Sequence, residues 1–311
     1  MYKDVKKYYE NDDVIYYKQF KNLDEFLMSI LSVDINPIFE TSFSSVNGDS
    51  CFTGTKSYQE AWEMAHYMMD ENFEKFYSQF KYLTYQFSKT SMIKNNYSVV
   101  GYNPNVPRYL KGIPTSMNSY YKEYTEELVC IYYPLAYSCF TSKEQVRNRG
   151  LLTLALIDYF EKQNIKVEFY SYEMLQEGNE KLLMVIPLKN GIEHLNVKKC
   201  YFPIVHPSFL RRLIFRAMEL MPLTNEEWPY GYGRPCDYQK SIDFFQKNSR
   251  LIDGRRDQME EKKIIFISTP NELGINGQDL QADCENFIKS INSLYTDLFD
   301  IDTKKTNKRR I

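Results

Sequence analysis

A strand, a helix and a second strand in immediate succession limit the possible folds more than any other feature of this chain. Leu128–Tyr133 is apolar on both faces of a strand, which is typical of a strand buried in a parallel sheet. Ser142 and Gln145 have the spacing of a capping box, which predicts the start of an amphipathic helix. A second strand is predicted over Ile165–Tyr172. Because helices between parallel strands cross over the sheet, this order predicts an α/β fold with a mostly parallel, helix-flanked sheet.

The same alternation continues toward the end of the chain. Further strands are predicted over Leu182–Leu188 and Ile264–Ser268, and a last helix over Leu280–Leu294. Pro207 suits the first turn of another helix, because its missing N–H is not needed there, and Pro222 ends that helix. These elements extend the predicted sheet well beyond its first two strands.

The first part of the chain has a different character. Asn22 suits the cap of a helix that begins at Leu23, and Ser57 with Glu60 has the spacing of another capping box. The proline-rich segment Val99–Met117 predicts an ordered, extended loop rather than a helix or strand, because proline fixes φ and removes a backbone donor.

These patterns together predict three regions. Residues 1–122 form a helical and loop-rich segment that packs on the sheet domain, residues 123–300 form the α/β domain, and residues 301–311 form a basic, flexible tail. The tail could also tether an acidic partner or nucleic acid.

Composition excludes several classes of protein. The net charge of -2 and the pI of about 6.1 give no overall attraction to nucleic acid or anionic membrane. The longest apolar runs, such as Leu182–Pro187, are far too short to span a bilayer, and the first residues lack the apolar segment of a signal peptide. We therefore expect a cytoplasmic protein without a membrane partner.

Sequence motifs for metal and cofactor chemistry are absent. The 6 cysteines include no C-x-x-C pair, and the 3 histidines have no mutual metal-ligand spacing. The chain also lacks the G-x-G-x-x-G, P-loop and G-x-S-x-G motifs of nucleotide-binding proteins and serine hydrolases. We therefore expect no cofactor, and these absences favour a protein without enzymatic activity.

His206, Arg211 and Arg212 are candidate binding residues on the helix that begins near Pro207. His206 could act as a general base or hold an anion together with the two arginines, or its imidazole could simply cap the helix. The arginines could contact a phosphate group or a partner, or they could form a solvated, ion-paired face.

Two loops shaped by glycine and proline carry further candidates. Arg108 and Tyr109 lie in the first loop, and Tyr232 and Arg234 lie in the second. Because arginine and tyrosine are favoured anchors at interfaces, these four residues could form a recognition patch. The alternative is that both loops seal the join between the two halves of the chain.

Four segments of the second half resemble a known family in order, length and hydrophobic pattern. They are IYYPLAYSC, TSKEQVRNRGLLTLALIDYFEKQ, IKVEFYSYE and IIFISTPNE. Over roughly residues 126–296 the chain thus resembles the von Willebrand factor A (vWA) domain, and the resemblance implies a vWA-like sheet domain.

The metal motif of vWA domains is degenerate in this chain. Tyr133 or Pro134 stands at the first aspartate position, Leu135 and Tyr137 stand at the serine positions, and Pro270 stands at the second aspartate position. Because a hard divalent cation requires oxygen ligands, mostly carboxylates, we expect no metal ion at this edge of the sheet.

Three other segments resemble a family of uncharacterised proteins from phages, plasmids and integrated mobile elements. They are FTGTKSYQEAWEMA, VPRYLKGIPTSM and VHPSFLRRLIFRAMEL with the following GYGRP. This resemblance implies a mobile genetic element in a bacterial host cell, and it implies no activity.

Three functions remain open at this point. The degenerate metal positions favour a non-enzymatic interaction or scaffold protein that binds a protein partner. The arginines, the two loops and the basic tail are the basis for the alternative of a nucleic-acid-binding protein in replication or transfer of the element. A hydrolase that uses His206 with a distant carboxylate is the third hypothesis, and the oligomeric state stays open.

Overall fold

The structure is a computed structural model of the 311-residue chain. It describes residues 2, 4–10, 13–31, 50–90, 96–100, 103–119, 128–138, 140–177, 179–221, 238–247 and 263–294. Tyr232, Arg234, the predicted boundary between residues 122 and 123, and the predicted tail at residues 301–311 lie outside the described residues.

A six-stranded sheet, flanked by helices, is the centre of the fold. Its strands are β1 (Lys6–Glu10), β2 (Asp13–Gln19), β6 (Leu128–Pro134), β7 (Lys166–Glu177), β8 (Glu180–Lys189) and β9 (Lys263–Phe266). They lie side by side in the order β1-β2-β8-β7-β6-β9. The predicted α/β class and the predicted strands around residues 128–133, 165–172, 182–188 and 264–268 are thus confirmed.

The sheet is mixed, so the prediction of a mostly parallel sheet is not confirmed. β6 runs parallel to β7 and β9, but β7 pairs antiparallel with β8, and β1 pairs antiparallel with β2. Glu177 and Glu180 are register partners, so only a short turn joins β7 to β8. A turn of this length leaves no room for the crossover helix that a parallel pair requires. The vWA-like topology stays a prediction.

The first residues of the chain contribute two strands that the sequence pattern did not predict. Valine, isoleucine and tyrosine in Asp13–Gln19 favour a strand, and β2 lies parallel to β8 with Tyr16 opposite Leu182. The region expected to be helical and loop-rich therefore also supplies one edge of the central sheet.

Helices cover the sheet. The described helices are α1 (Leu23–Leu31), α2 (Ser50–Thr53), α3 (Tyr58–Tyr67), α4 (Phe73–Thr90), α5 (Val106–Leu110), α6 (Lys143–Lys162), α7 (Val197–Val205), α8 (Phe215–Glu219), α9 (Tyr238–Lys247) and α10 (Leu280–Leu294), with a π-helix at Phe209–Ile214. No described helix combines the length and the apolar character that a bilayer-spanning segment needs.

The two faces of the sheet have separate cores. Ile131 and Tyr133 of β6 point into a large core with the helices, whereas Tyr132 points to the opposite face and packs on Phe245 of α9 with ring centroids 4.8 Å apart. On the first face α6 and α7 lie very close together at Gly150. A Cβ at this position would lie only 2.5 Å from the Ile204 carbonyl oxygen. A side chain at this position would force these helices apart.

A second, small sheet forms within and on both sides of the proline-rich segment. Its strands are β3 (Asn96–Ser98), β4 (Asn103–Pro104) and β5 (Met117–Ser119), in the order β3-β5-β4. The short helix α5 lies between β4 and β5, so the prediction of an extended loop without helix or strand is wrong here. Asn105 caps α5, and Pro107 occupies the first turn of this helix, where no backbone donor is needed.

Candidate functional site

The structure places the described candidate residues on two different parts of the fold. His206 lies at the end of α7, and Arg211 and Arg212 lie in the π-helix that follows. Arg108 and Tyr109 lie in α5 beside the small sheet.

The segments FTGT (residues 52–55) and HPSFLRR (residues 206–212) pack directly on each other. The Ser208 hydroxyl donates to the Thr53 carbonyl oxygen at 2.8 Å and also contacts the Thr55 hydroxyl. The Arg212 guanidinium donates to the Thr55 carbonyl oxygen at 3.1 Å. Ser208, Thr53 and Thr55 are all buried, so these bonds lie away from water. We call this contact the turn–helix junction.

The His206 ring is enclosed at the turn–helix junction. It stacks on Phe202 with centroids 4.6 Å apart, and a Cβ on Gly54 would meet two of its ring atoms at 3.2 Å. Its Nδ1 accepts from the Ser208 backbone N–H at 3.4 Å, which is the contact expected of a helix cap. Burial lowers the pKa of His206 and outweighs the charges of Asp70 and Glu60, which act to raise it. The neutral form of the imidazole is therefore favoured.

The hydrolase hypothesis requires an acid that orients His206. Among the described residues no carboxylate accepts a hydrogen bond from the imidazole, and Asp70 instead accepts from the Tyr201 hydroxyl at 2.7 Å. A general base needs a positioned partner as well as a suitable pKa. The described geometry at His206 therefore gives the hydrolase hypothesis no support.

Arg211 has an unusual environment in the π-helix. Its guanidinium carbon lies 5.9 Å from the centre of the Phe52 ring and 5.6 Å from that of Phe215, so it lies within cation–π distance of two aromatic rings. Its Nε is buried and has no hydrogen-bond acceptor among the described residues. The Nε of the neighbouring Arg212 is in the same condition, but one of the terminal nitrogens of Arg212 donates to a backbone carbonyl.

Arg108 and Tyr109 have opposite roles on α5. The Arg108 guanidinium stacks on the Tyr97 ring at 4.1 Å and donates to both the carbonyl and hydroxyl oxygens of Thr115, at 2.9 and 3.1 Å. It therefore ties the helix to the small sheet. Tyr109 is 70% exposed and contributes its ring to the surface.

The degenerate metal positions lie at the carboxyl ends of β6 and β9, where Tyr133, Leu135, Tyr137 and Pro270 are all buried. The guanidinium of Arg149, from α6, fills this edge. It donates to the Tyr133 hydroxyl at 2.8 Å, to the Pro134 carbonyl at 2.9 Å and to the Ser268 carbonyl at 3.4 Å.

Arg149 is thus a buried cation that binds neutral oxygen atoms at the ends of two neighbouring strands, β6 and the edge strand β9. Burial raises the pKa of the Tyr133 hydroxyl, and the charge of Arg149 opposes that rise. Within the described part of the chain no group of three or more histidine, cysteine, aspartate or glutamate side chains is arranged to hold a metal ion. That no metal ion binds here stays a prediction.

Arg149 was not predicted from the sequence, although a signal for it was present. Arg149 lies three residues after Val146 and three before Leu152, so it shares the apolar face of α6 with both. A charged residue on a buried face is rare and needs internal acceptors.

Glu173 of β7 is another buried ionisable residue that was not predicted from the sequence. It is 1% exposed, and neither carboxyl oxygen has a hydrogen-bond partner among the described residues. Burial raises the pKa of Glu173 well above its usual value, and the nearby backbone N–H of Ala136 opposes that rise only in part. Burial in the fold therefore favours the neutral form of this carboxyl.

Comparison with known proteins identifies the family. The model of the family described as Domain of unknown function (DUF7192) matches residues 4–294, which is most of the chain, and the chain therefore belongs to this family. No curated protein and no solved structure matches the chain.

Proposed function

We propose that this DUF7192 protein is a non-enzymatic interaction protein that binds a protein partner through the small sheet and α5. The observation that supports this function best is a group of large apolar side chains exposed together on a short segment. They are Tyr97, Val99, Val100, Val106, Tyr109 and Leu110. We call this group the apolar patch.

The exposure within the apolar patch is high. Val100, Tyr109 and Leu110 are 79%, 70% and 78% exposed. Single apolar residues on a surface need no explanation, but a concentrated group is typical of an interaction site. Tyrosine also offers a large apolar ring with a polar hydroxyl, which suits an interface anchor.

The backbone under the apolar patch is held in place by specific contacts. The Asn105 side chain caps α5 by accepting from the Arg108 N–H at 3.1 Å, and Arg108 links the helix to Thr115. Gly112 ends the helix with φ at 67°, which glycine adopts without strain. An ordered surface loses little conformational entropy on binding, and this supports a role in recognition.

The partner that fits the apolar patch is a protein with a complementary apolar surface. The alternative of a nucleic-acid-binding protein is less well supported, because Arg212 is buried and Arg108 is bonded internally. Phosphate contacts require exposed cationic groups. The origin from a mobile element and the vWA-like scaffold remain part of this proposal as predictions.

A site-specific crosslinking experiment tests the proposal. In one variant a photoreactive amino acid replaces Tyr109. In the control variant it replaces Ile192, which is 95% exposed in the loop between β8 and α7. We expect a defined crosslinked protein from position 109 and none from position 192. Excess unlabelled protein should compete for that crosslink, whereas excess Tyr109→Ser/Leu110→Ser double variant should not.

Two outcomes would decide against a separate protein partner. Equal competition by the unlabelled protein and by the double variant would show that the apolar patch does not bind, and the proposal would fail. A crosslink between two copies of the pure chain, lost in the double variant, would identify the partner as a second copy.

A further inference from the structure

We propose that Arg211 anchors a binding site for a small oxyanion, either a carboxylate or a phosphate group. This site is separate from the apolar patch, and it adds a ligand to the proposed docking function. No hydrogen bond or ion pair joins the Arg211 guanidinium to any described residue, and its buried Nε has no acceptor. The terminal N–H groups of this partly exposed side chain therefore have no internal acceptor among the described residues, and an anionic ligand that supplies one would bind favourably.

The guanidinium is held in position by aromatic rings. Phe52 from α2 and Phe215 from α8 each lie within 6 Å of its central carbon. Tyr137, which follows β6, extends this wall because its ring centroid is 6.4 Å from that of Phe52. Arg211 is therefore oriented by packing before any ligand binds.

A ligand can reach the Arg211 side chain from solvent. Its side chain is partly exposed, and only Nε belongs to the buried atoms without a partner. A guanidinium edge with free N–H groups matches the two oxygens of a carboxylate or phosphate group. This geometry selects an oxyanion over a neutral ligand.

Two other buried arginines show what a structural role looks like. Arg212 and Arg149 each donate to backbone carbonyl oxygens. Arg211 lies one residue before Arg212 in the same π-helix, yet it has no such acceptor among the described residues. A π-helix of this kind is uncommon and frequently marks a functional site.

Thermal unfolding in defined anions tests the site. The wild-type chain, Arg211→Gln and the control Arg147→Gln are compared in chloride, acetate and phosphate at equal ionic strength and pH 7. Arg147 is also partly exposed, and its loss also removes one positive charge. We expect a saturable rise of the melting temperature with acetate or phosphate in the wild type and in Arg147→Gln, and no rise in Arg211→Gln.

The pattern of responses identifies the ligand or overturns the proposal. A response to phosphate alone indicates a phosphate ligand, and a response to acetate alone or to both indicates a carboxylate-accepting site. The proposal fails if the wild type responds to neither anion, or if Arg211→Gln responds as strongly as the control.

A second variant covers the case in which Arg211→Gln does not fold. Phe52→Leu removes one aromatic wall and leaves the arginine in place. We expect this variant to bind the anion about threefold more weakly, because one cation–π contact is lost. An unchanged dissociation constant would overturn the proposal.

Discussion

Arg149 and Glu173 are two buried ionisable side chains with opposite surroundings. Arg149 has acceptors from two strand ends, whereas Glu173 has no hydrogen-bond partner among the described residues. The first should stabilise the fold as a charged group, and the second should tolerate burial only when it is neutral. Each difference leads to a measurable effect of substitution.

Replacement of Arg149 by methionine should destabilise the protein by about 3 kcal/mol, because it leaves the Tyr133 hydroxyl and the Pro134 and Ser268 carbonyls without their donor. Urea unfolding measures this change as a lower midpoint at a constant slope. The control Arg147→Met removes an arginine that is only partly buried and should cost less than about 1 kcal/mol. Equal losses in the two variants would contradict the structural role of Arg149.

Replacement of Glu173 by glutamine should change how stability depends on pH. The folded-state pKa lies well above the usual 4.5, so the wild type has its full stability below about that pH and loses stability as pH rises toward the folded pKa. The glutamine variant lacks this loss. We therefore expect similar melting temperatures near pH 4.5 and a higher melting temperature for Glu173→Gln at neutral pH and above.

The control for this pH effect is Glu63→Gln, which alters an exposed carboxylate on α3. Its melting temperature should follow that of the wild type at every pH. A Glu173→Gln curve that runs parallel to the wild-type curve would show that the carboxyl is not held neutral in the fold.

At the scale of single residues, local contacts could be predicted and tertiary contacts could not. Ser142 and Gln145 form the predicted capping box, and Asn22 caps α1 by accepting from Glu25 N–H at 2.9 Å. Such contacts depend on residues three positions apart. The partners of Arg149, in contrast, include Ser268, which is 119 positions away.

At the scale of elements, the turn–helix junction depends on Gly54. Its φ of 77° is unfavourable for other residues, and its missing Cβ leaves room for the His206 ring. Gly54 thus has both a positive φ and a neighbouring ring that leaves little room for a Cβ. Substitution by alanine should therefore destabilise the protein more here than at a glycine that has a positive φ alone.

Gly54→Ala should destabilise the protein by about 2 kcal/mol, the sum of backbone strain and steric contact with His206. Gly112→Ala is the matched control, because Gly112 also has a positive φ of 67° but no atom lies within 4 Å of the place that a Cβ would occupy. The control should cost about 1 kcal/mol. Denaturant unfolding of both variants separates the two contributions, and equal losses would exclude a steric role of His206.

Elements with strong periodicity could be predicted from the sequence. The helix over Leu280–Leu294 has the predicted bounds, and four of the sheet strands lie where apolar runs indicated them. β1 and β2 were missed because their lysines and tyrosines obscure the apolar alternation. The antiparallel pairing of β7 with β8 was missed although Gly178-Asn179 is a typical two-residue hairpin sequence.

At the scale of the whole molecule, the central sheet combines distant parts of the chain. β2 pairs with β8, and β9 pairs with β6 on the other side. Hydrophobic runs indicate which segments form strands, but neighbour order depends on which edges are covered and on the length of each connection. This is why the α/β class could be predicted and the mixed topology could not.

The candidate site could be predicted only in its components. FTGT and HPSFLRR were singled out as separate segments, and their contact became evident only in the fold. The two rings beside Arg211 likewise come from separate elements, Phe52 from α2 and Phe215 from α8. Such convergence is a property of tertiary packing, which periodicity in one segment does not encode.

The pairing of β2 with β8 has a consequence for biosynthesis. Tyr16 and Glu180, which bond across this pair, are 164 positions apart, so a ribosome adding about 5–20 residues per second needs roughly 8–30 seconds between them. During that interval the emerging β1–β2 hairpin has no neighbour, and a lone hairpin is at best marginally stable in water. The nascent chain therefore completes this side of its sheet only after β8 has been synthesised.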